Sequence, residues 1–462
     1  LALVTPAYKA KGNTEEEGNF RPLSVISHIA KLSEYSVQYQ LLDYLLSHKF
    51  ITIDQFAYLK NHSTQMCLHR LIDDILENIN ENEITALTFL DIKKCFDTID
   101  HNILLKKLKK YGIHNYELQW FQSYLQDRSQ IVINNGHKSK KCFINIGVPQ
   151  GTILGPLLFV LYVNDLSNTI QNAHINIYAD DVVIYSSHTS LSSLKDIMQT
   201  NLSQVYNWYT NNRLTLSIDK CSTMLINNKH NPESESFKLF LGNQELENVS
   251  LMKYLGLCID DELKWDAHVS SLTTKVNINN SRIRRARKIL PLNILLKIHN
   301  SQNVPVIDYA ATVWANFSQN NINLINRLEH MSARAITGNY DFINARGADI
   351  MSSLCMKDFL TRNRYHLALL IFKAIIGQAP DHICNNILFS YEVSQKNLRS
   401  FDNMNLYHPK PNCERFKKSL QYSGPTVWNS LPICVKESTS VVQFKNSYRD
   451  AYKLVNIPSV EI

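Results

Sequence analysis

The sequence predicts an α+β protein with a mixed first region and a mainly helical C-terminal region. Two observations carry this. Up to residue 262, short β-branched and aromatic runs alternate with amphipathic segments, the pattern of interleaved strands and helices. After Trp265 the apolar spacing becomes helical, apart from the polar stretch Glu392–Ser423. A chain of 462 residues holds more than one core, and 44% hydrophobic against 19% charged residues is an ordinary globular balance.

Composition narrows the function classes. The longest apolar run, Leu154 to Val163, is broken by Gly155 and Pro156 and is too short to span a membrane, so no membrane partner is expected. Leu1-Ala2-Leu3-Val4 lacks a basic leader and does not read as a signal peptide, and a chain opening on Leu reads as a fragment of a longer reading frame. Nine cysteines are scattered, with no Cys-x-x-Cys pair and no zinc-spaced Cys/His cluster, which points to free thiols, a reducing compartment and no structural zinc. A net charge of +7 fits a polyanionic partner.

In chain order, residues 1–30 read as irregular. Lys9 and Arg21 flank the acidic loop Glu15-Glu16-Glu17-Gly18, and such a pair either grips a triphosphate or simply faces solvent. Ile29–Leu46 and Cys67–Ile79 have helical spacing, and Ser63 or Thr64 is a suitable N-cap for the second. Ala86–Leu90 is a nearly continuous apolar run, as in a buried strand, and it ends in Asp91. Asp97 precedes a helix over His101–Tyr111 and suits its positive end, while Phe96 reads first as core. A helix follows over Tyr116–Leu125. Then Arg128–Ile133 and Lys141–Ile146 form strands about Asn134-Asn135-Gly136, a hairpin signal.

Gly147-Val148-Pro149-Gln150-Gly151 opens into the apolar helix that starts near Leu154. Its glycines allow close backbone approach to a ligand, although the spacing is neither that of a P-loop nor that of a dinucleotide fingerprint. A long helix spans Leu191–Asn211. Strand-like segments follow at Leu214–Leu216 and Ser222–Ile226, with Lys220 between them as a surface residue or a charge near a triphosphate. Phe240–Leu246 about Gly242-Asn243 and Met252–Leu257 read as hairpins. Arg282, Arg284, Arg285, Arg287 and Lys288 put five basic residues in seven positions and would spread around a helix as a nucleic-acid-facing surface or a solvated face. Leu290–Ile307, broken at Pro291 and Pro305, and Ile322–Thr337, Arg362–Ile376 and Ser440–Leu454 read as helical. The stretch Glu392–Ser423 is polar and irregular, and Pro425–Pro432 precedes the last helix.

The stretch that organises the rest is Tyr178-Ala179-Asp180-Asp181, set between the strand-like runs His174–Ile177 and Val182–Tyr185. Adjacent carboxylates repel unless a cation sits on them, and hard carboxylate oxygens suit Mg²⁺. An Asp at the end of a buried strand is costly unless it is paired or metal-bound, so Asp91 is the natural third carboxylate. Alone, the turn could equally be an acidic hairpin tip in solvent.

Five segments stand in one order: Phe20-Arg21-Pro22-Leu23, Phe89–Asp97, Gly147–Gly151, Tyr178–Asp181 and Tyr254-Leu255-Gly256. This ordered set resembles reverse transcriptases, most closely those of non-LTR (LINE-type) retrotransposons of the CR1 and Jockey-like groups. The tail Ser423–Pro432 resembles the region following the polymerase in these elements. The resemblance implies a right-hand polymerase with fingers and palm over 1–262, a thumb-like region over 263–345 and a C-terminal region of unknown role over 346–462. It implies an RNA-directed DNA polymerase that joins dNTPs to a DNA primer on an RNA template with two Mg²⁺ ions, Mn²⁺ being a substitute. Asp91, Asp180 and Asp181 would be catalytic and metal-binding, with the Ile92 carbonyl as a further ligand. Phe96 would exclude a ribose 2′-hydroxyl, Lys9 and Arg21 would contact the triphosphate, Gln150 and Gly151 would lie beside nucleotide and template, and Lys220 would stand near the pyrophosphate. The basic cluster Arg282–Lys288 would face nucleic acid. An upstream endonuclease domain would be a partner within the polyprotein, and the family's life cycle implies nucleus and cytoplasm. The chain departs from the family at Ala57-Tyr58-Leu59-Lys60, where Gly-Phe-Arg is usual. The alternative is a catalytically inactive RNA-binding module with the same fold. A viral RNA polymerase would have Gly at Ala179 and a polar residue at Phe96.

Overall fold

A computed structural model describes residues 1–9, 12–227, 237–393 and 404–453. Lys11, residues 394–403 of the polar stretch and Leu454 of the expected last helix lie outside the described residues. The first region holds β1 (Ala2–Tyr8), β2 (Phe20–Val25), α1 (His28–Ser47), α2 (Thr64–Asn80), β3 (Ile84–Asp91), α3 (His101–Lys110), α4 (Asn115–Leu125), β4 (Arg128–Asn134), β5 (His137–Lys138), β6 (Cys142–Ile144), α5 (Leu154–Val163), β7 (His174–Tyr178), β8 (Asp181–His188) and α6 (Leu191–Asn211). Five short strands follow, β9 (Ser222–Ile226), β10 (Phe240–Leu241), β11 (Gln244–Glu245), β12 (Glu247–Asn248) and β13 (Leu251–Tyr254), and then β14 (Leu257–Asp260). The remainder is helical: α7 (Asp266–Ala286), α8 (Leu292–Gln302), α9 (Val304–Asp308), α10 (Ala311–Trp314), α11 (Gln319–Thr337), α12 (Gly347–Ser353), α13 (Phe359–Ile375), α14 (Asp381–Asn386), α15 (Ser390–Val393), α16 (Leu420–Asn429), α17 (Ile433–Lys436) and α18 (Val441–Ala451).

The central sheet has the order β12-β9-β3-β8-β7. Side chains alternate between faces, and both faces of β3 and β8 are covered. Ala86, Leu90, Val182 and Ile184 join a core with α5 and α6, whereas Leu87, Phe89, Val183 and Tyr185 join a second core with α2 and α7. This double burial is why both strands read as unbroken apolar runs. Helix α5 is apolar on every side for the same reason: Leu157 through Val163 are all buried.

The expectation of an irregular first 30 residues is corrected. β1 and β2 pair antiparallel from Leu3↔Val25 to Tyr8↔Phe20, and β1 also pairs parallel with β4. That partner lies more than a hundred residues away, which a local reading of the sequence cannot detect. The strand expected over Lys141–Ile146 shrinks to β6, because β5 and β6 share the single partner β4 on one edge. Leu214–Leu216 forms no strand but one bridge, Ile92↔Leu216. The helical stretch over Leu290–Ile307 breaks at the two prolines as expected: Pro291 is the N-cap of α8, and Pro305 lies in the first turn of α9, where its missing N–H costs nothing.

Pro425 precedes the last helix, α18, as expected, and itself lies inside the additional helix α16. Tertiary packing overrides propensity there. A Cβ on Gly424 would stand 2.5 Å from Ile371 Cδ1, so a glycine lets α16 press against α13. Trp428 is buried and donates from Nε1 to the Met404 carbonyl at 2.8 Å. The Gly-Pro-x-x-Trp-Asn run is thus a packing lock. The C-terminal helices also grip α2: Leu420 N donates to Asp73 Oδ1 at 2.7 Å and Asn412 N to Asn80 Oδ1 at 2.7 Å. Within the helical part, Arg362 bonds both oxygens of Asp308 at 2.7 and 2.8 Å and pairs with Glu329 at 2.7 Å, a buried triad joining α9, α11 and α13.

Burial lowers His268 and His299 to about 4 and His382 to about 3. In the unfolded chain these imidazoles protonate near 6.5, so between pH 6.5 and 4 the unfolded state binds more protons and acid favours it. Stability should fall across that window by at most about 1.4 kcal/mol per pH unit per histidine. Denaturant midpoints at pH 7 and pH 5 check this, and equal midpoints would contradict it.

Candidate functional site

The site begins with the pairing of β3 and β8. Their antiparallel register runs from Ile84↔His188 to Asp91↔Asp181 and sets these two aspartates side by side at the sheet end. β7 and β8 close as Tyr178↔Asp181, leaving Ala179-Asp180 as a two-residue turn. Ala179 has φ +55, the left-handed conformation such hairpins need. Desolvation first, then the charges of Asp180 and Asp91, raise the Asp181 carboxyl to about 6.

The three backbones are together, but the side chains do not converge. Among the described residues, no group of three or more His, Cys, Asp or Glu stands ready to hold a metal ion. Asp91 Oδ2 instead takes Lys220 Nζ at 3.1 Å, so the ammonium supplies the positive charge at that carboxylate. Lys220 is therefore a partner of the site and not merely surface. The Ile92↔Leu216 bridge is bonded through its neighbours, Lys93 N to Thr215 O and Ser217 N to Asp91 O, both at 2.8 Å, which leaves the Ile92 carbonyl unspent on that bridge. Two buried thiols flank the carboxylates. Cys95, within electrostatic reach of Asp180, is driven up by burial first and by that charge, and Cys221 is pushed up to about 11, so both stay protonated.

Asp97 does not cap α3. Asp100 does, accepting from Asn102 N at 2.9 Å and Ile103 N at 3.0 Å. Asp97 accepts instead from Gln150 Nε2 at 3.0 Å, and its carboxyl is raised by burial while the charges of Lys94 and Lys9 oppose the rise. The same Gln150 takes Ser24 N on its carbonyl at 2.7 Å. The β1–β2 hairpin, with Arg21 opposite Ala7, is thereby tied to the sheet end. Lys9 Nζ is held by the Gly18 carbonyl at 2.7 Å. Gly151 has φ +100, and a Cβ there would stand 2.9 Å from Ser24 O, so this contact requires glycine. Phe96 packs on Phe159 at 4.9 Å between centroids with part of its ring still accessible.

Arg282, Arg284, Arg285, Arg287 and Lys288 are exposed around the end of α7, but they do not encircle it, because Ile283 between them is buried against Ile336 and Leu295. Nothing ties this cluster directly to the aspartates. The roles of three residues are not legible in the sequence, including Gln55, the fingers glutamine just ahead of the departure at Ala57–Lys60. Gln55 is fully buried beside Ala179. Tyr58 lies within electrostatic reach of Asp180. Glu34 of α1 is buried and accepts from Ile153 N at 2.7 Å and Leu154 N at 3.3 Å, capping α5 just past the Gln150-Gly151 loop, and from Tyr124 OH at 2.9 Å.

The sequence pattern of the family described as reverse transcriptase (RNA-dependent DNA polymerase) matches residues 9–259. The chain is 26% identical over 357 residues to a probable RNA-directed DNA polymerase from transposon BS of Drosophila melanogaster, covering 73% of this chain and 38% of that one. It is 26% identical over 332 residues to the RNA-directed DNA polymerase from mobile element jockey of Drosophila funebris, covering 69% and 36%. The chain thus spans well under half the length of these relatives. A solved telomerase from Candida tropicalis in complex with a telomeric RNA fragment overlaps 96% of this chain and 63% of its own, at 12% identity and a TM-score of 0.42.

Glu34→Ala would strand the buried Leu154 amide, the part-buried Ile153 amide and the Tyr124 hydroxyl. It is expected to cost about 2–4 kcal/mol in a denaturant titration, whereas a change within about 0.5 kcal/mol would show that Glu34 is an ordinary surface residue.

Proposed function

The chain belongs to the reverse transcriptase family, and from that membership we propose that it is the RNA-directed DNA polymerase of a non-LTR retrotransposon, adding dNTPs to a primer 3′-hydroxyl on an RNA template. The observation that carries this reading is the register Asp91↔Asp181 beside the Asp180 turn. The donor set fits a hard dication: the Asp181 carboxyl, raised by burial first and then by the charges of Asp180 and Asp91, sits among like charges that such an ion relieves. Asp91, Asp180, Asp181 and the Ile92 carbonyl would hold two Mg²⁺ ions, with Mn²⁺ as a substitute. When bound, the pair supplies activation of the primer hydroxyl and neutralisation of the leaving pyrophosphate.

The chain's own residues do the rest by positioning and charge. Lys220 gives up Asp91 and turns to the triphosphate or pyrophosphate. Lys9 and Arg21 take the triphosphate as point charge and fork. Phe96, braced from behind by Phe159, stands where a ribose 2′-hydroxyl would clash. Gln150 and Gly151 bind beside nucleotide and template, and the exposed Arg282–Lys288 cluster binds the primer–template backbone. Residues 1–262 act as fingers and palm and 263–345 as a thumb-like region, and within 346–462 Asn412 and Leu420 brace α2. In the parent protein an upstream endonuclease domain supplies the target.

A second reading rests on the side chains that do not converge among the described residues: an inactive RNA-binding module with the polymerase fold. Primer extension separates the two. The chain should extend an annealed primer on RNA with dNTPs and Mg²⁺, and Asp180→Asn/Asp181→Asn should reduce extension below detection. Extension that survives the double substitution would refute the site, and a folded wild type that binds RNA without extending would select the second reading. Phe96→Val should raise ribonucleotide use relative to dNTPs, read as a ratio of kcat/KM values.

A further inference from the structure

We propose that Gln55 is a positioning residue for the carboxylate turn: its buried carboxamide oxygen holds the left-handed backbone at Ala179 and thereby sets where Asp180 and Asp181 stand. The inference rests on the reading of that turn as catalytic. The segment carrying Gln55 is an added edge of the central sheet. Phe56 N donates to Ile177 O and Ile177 N to Asp54 O, both at 2.9 Å, in a parallel bridge to β7. Asp54 is anchored in turn by Arg70 at 2.8 Å.

Gln55 is fully buried on this edge. Its Oε1 accepts from Ala57 N at 2.9 Å and, over a longer 3.5 Å, from Ala179 N. Two N–H donors on one atom fix the amide orientation, since the flipped group would set NH₂ against them. Ala179 is itself buried and carries φ +55, a conformation that costs a non-glycine residue about 1–2 kcal/mol. Such strain persists only where the surroundings over-determine it. The other end of the carboxamide, Nε2, is buried without a partner. A methionine of similar length would remove that unsatisfied donor but would strand the buried Ala57 and Ala179 amides, so it is the carboxamide oxygen that calls for an amide here. Tyr58, also left-handed at φ +60, leaves this segment toward Asp180, so one buried amide lies between two turns that border the aspartates.

The test uses Gln55→Met in the full chain, with Gln55→Glu as the variant that keeps an acceptor. Hydrogen exchange at the Ala179 amide should quicken about fivefold to tenfold in Gln55→Met, the ratio matching one net hydrogen bond, while the Phe56 and Ile177 amides keep wild-type protection. Gln55→Glu should stay within about twofold of wild type. Mn²⁺ binding without substrates, followed by electron paramagnetic resonance, should weaken by a factor similar to the exchange change in Gln55→Met. In primer extension kcat should fall with the dNTP KM unchanged. Wild-type exchange at Ala179 in Gln55→Met would overturn the inference. An equal rise at all three amides would also overturn it, since Gln55 would then only support the edge. A rise at Ala179 alone, in a chain that extends no primer even as wild type, would uphold the hold on the turn and remove the catalytic reading instead.

Discussion

The antiparallel pairing of β3 with β8 is the constraint on which the rest depends. It is buried on both faces, so neither strand can slip by a residue without turning Leu87 and Phe89, or Val183 and Tyr185, into the wrong core. Because the register cannot slip, Asp91 and Asp181 are held opposite each other where the sheet ends. The cores on either side therefore protect a spacing between two charges. The C-terminal helices contribute by the same route, since they hold α2, which covers one face of the sheet.

The charges themselves work against folding. Two aspartates side by side, with a third across the register, repel, and the Asp181 carboxyl is raised for that reason as well as by burial. The structure answers with one cation, Lys220 on Asp91, and with thiols kept protonated beside Asp180 and Asp91. The arrangement is one of local frustration at a functional point, tolerated because packing elsewhere is secure. A divalent ion binding there would relieve the repulsion and free the lysine.

Much of this was legible in the sequence, and what was not has identifiable causes. Asp180, Asp181 and Asp91 stood out because a carboxylate pair between two strand-like runs, and an Asp closing an apolar strand, are local patterns. The hairpin of β1 and β2 was not legible, since Pro6 and Pro22 interrupt its two strands and its second partner, β4, is remote in sequence. Asp97 and Asp100 both suit a helix start, and only geometry assigns the cap to Asp100 and gives Asp97 to Gln150. The basic cluster looked evenly spread until Ile283 proved to be core. Gln55 and Glu34 are polar residues in unremarkable settings, and their burial against backbone amides appears only in three dimensions.

The most direct test of the central claim is a Mn²⁺ titration of the free protein, followed by electron paramagnetic resonance, for wild type, Asp91→Asn and Asp181→Asn. If the register-held aspartates form one site, each substitution should weaken binding by at least tenfold, and wild-type binding should release Lys220 from Asp91. Binding that is unchanged in either variant would show that the aspartates, though neighbours in the sheet, do not act together.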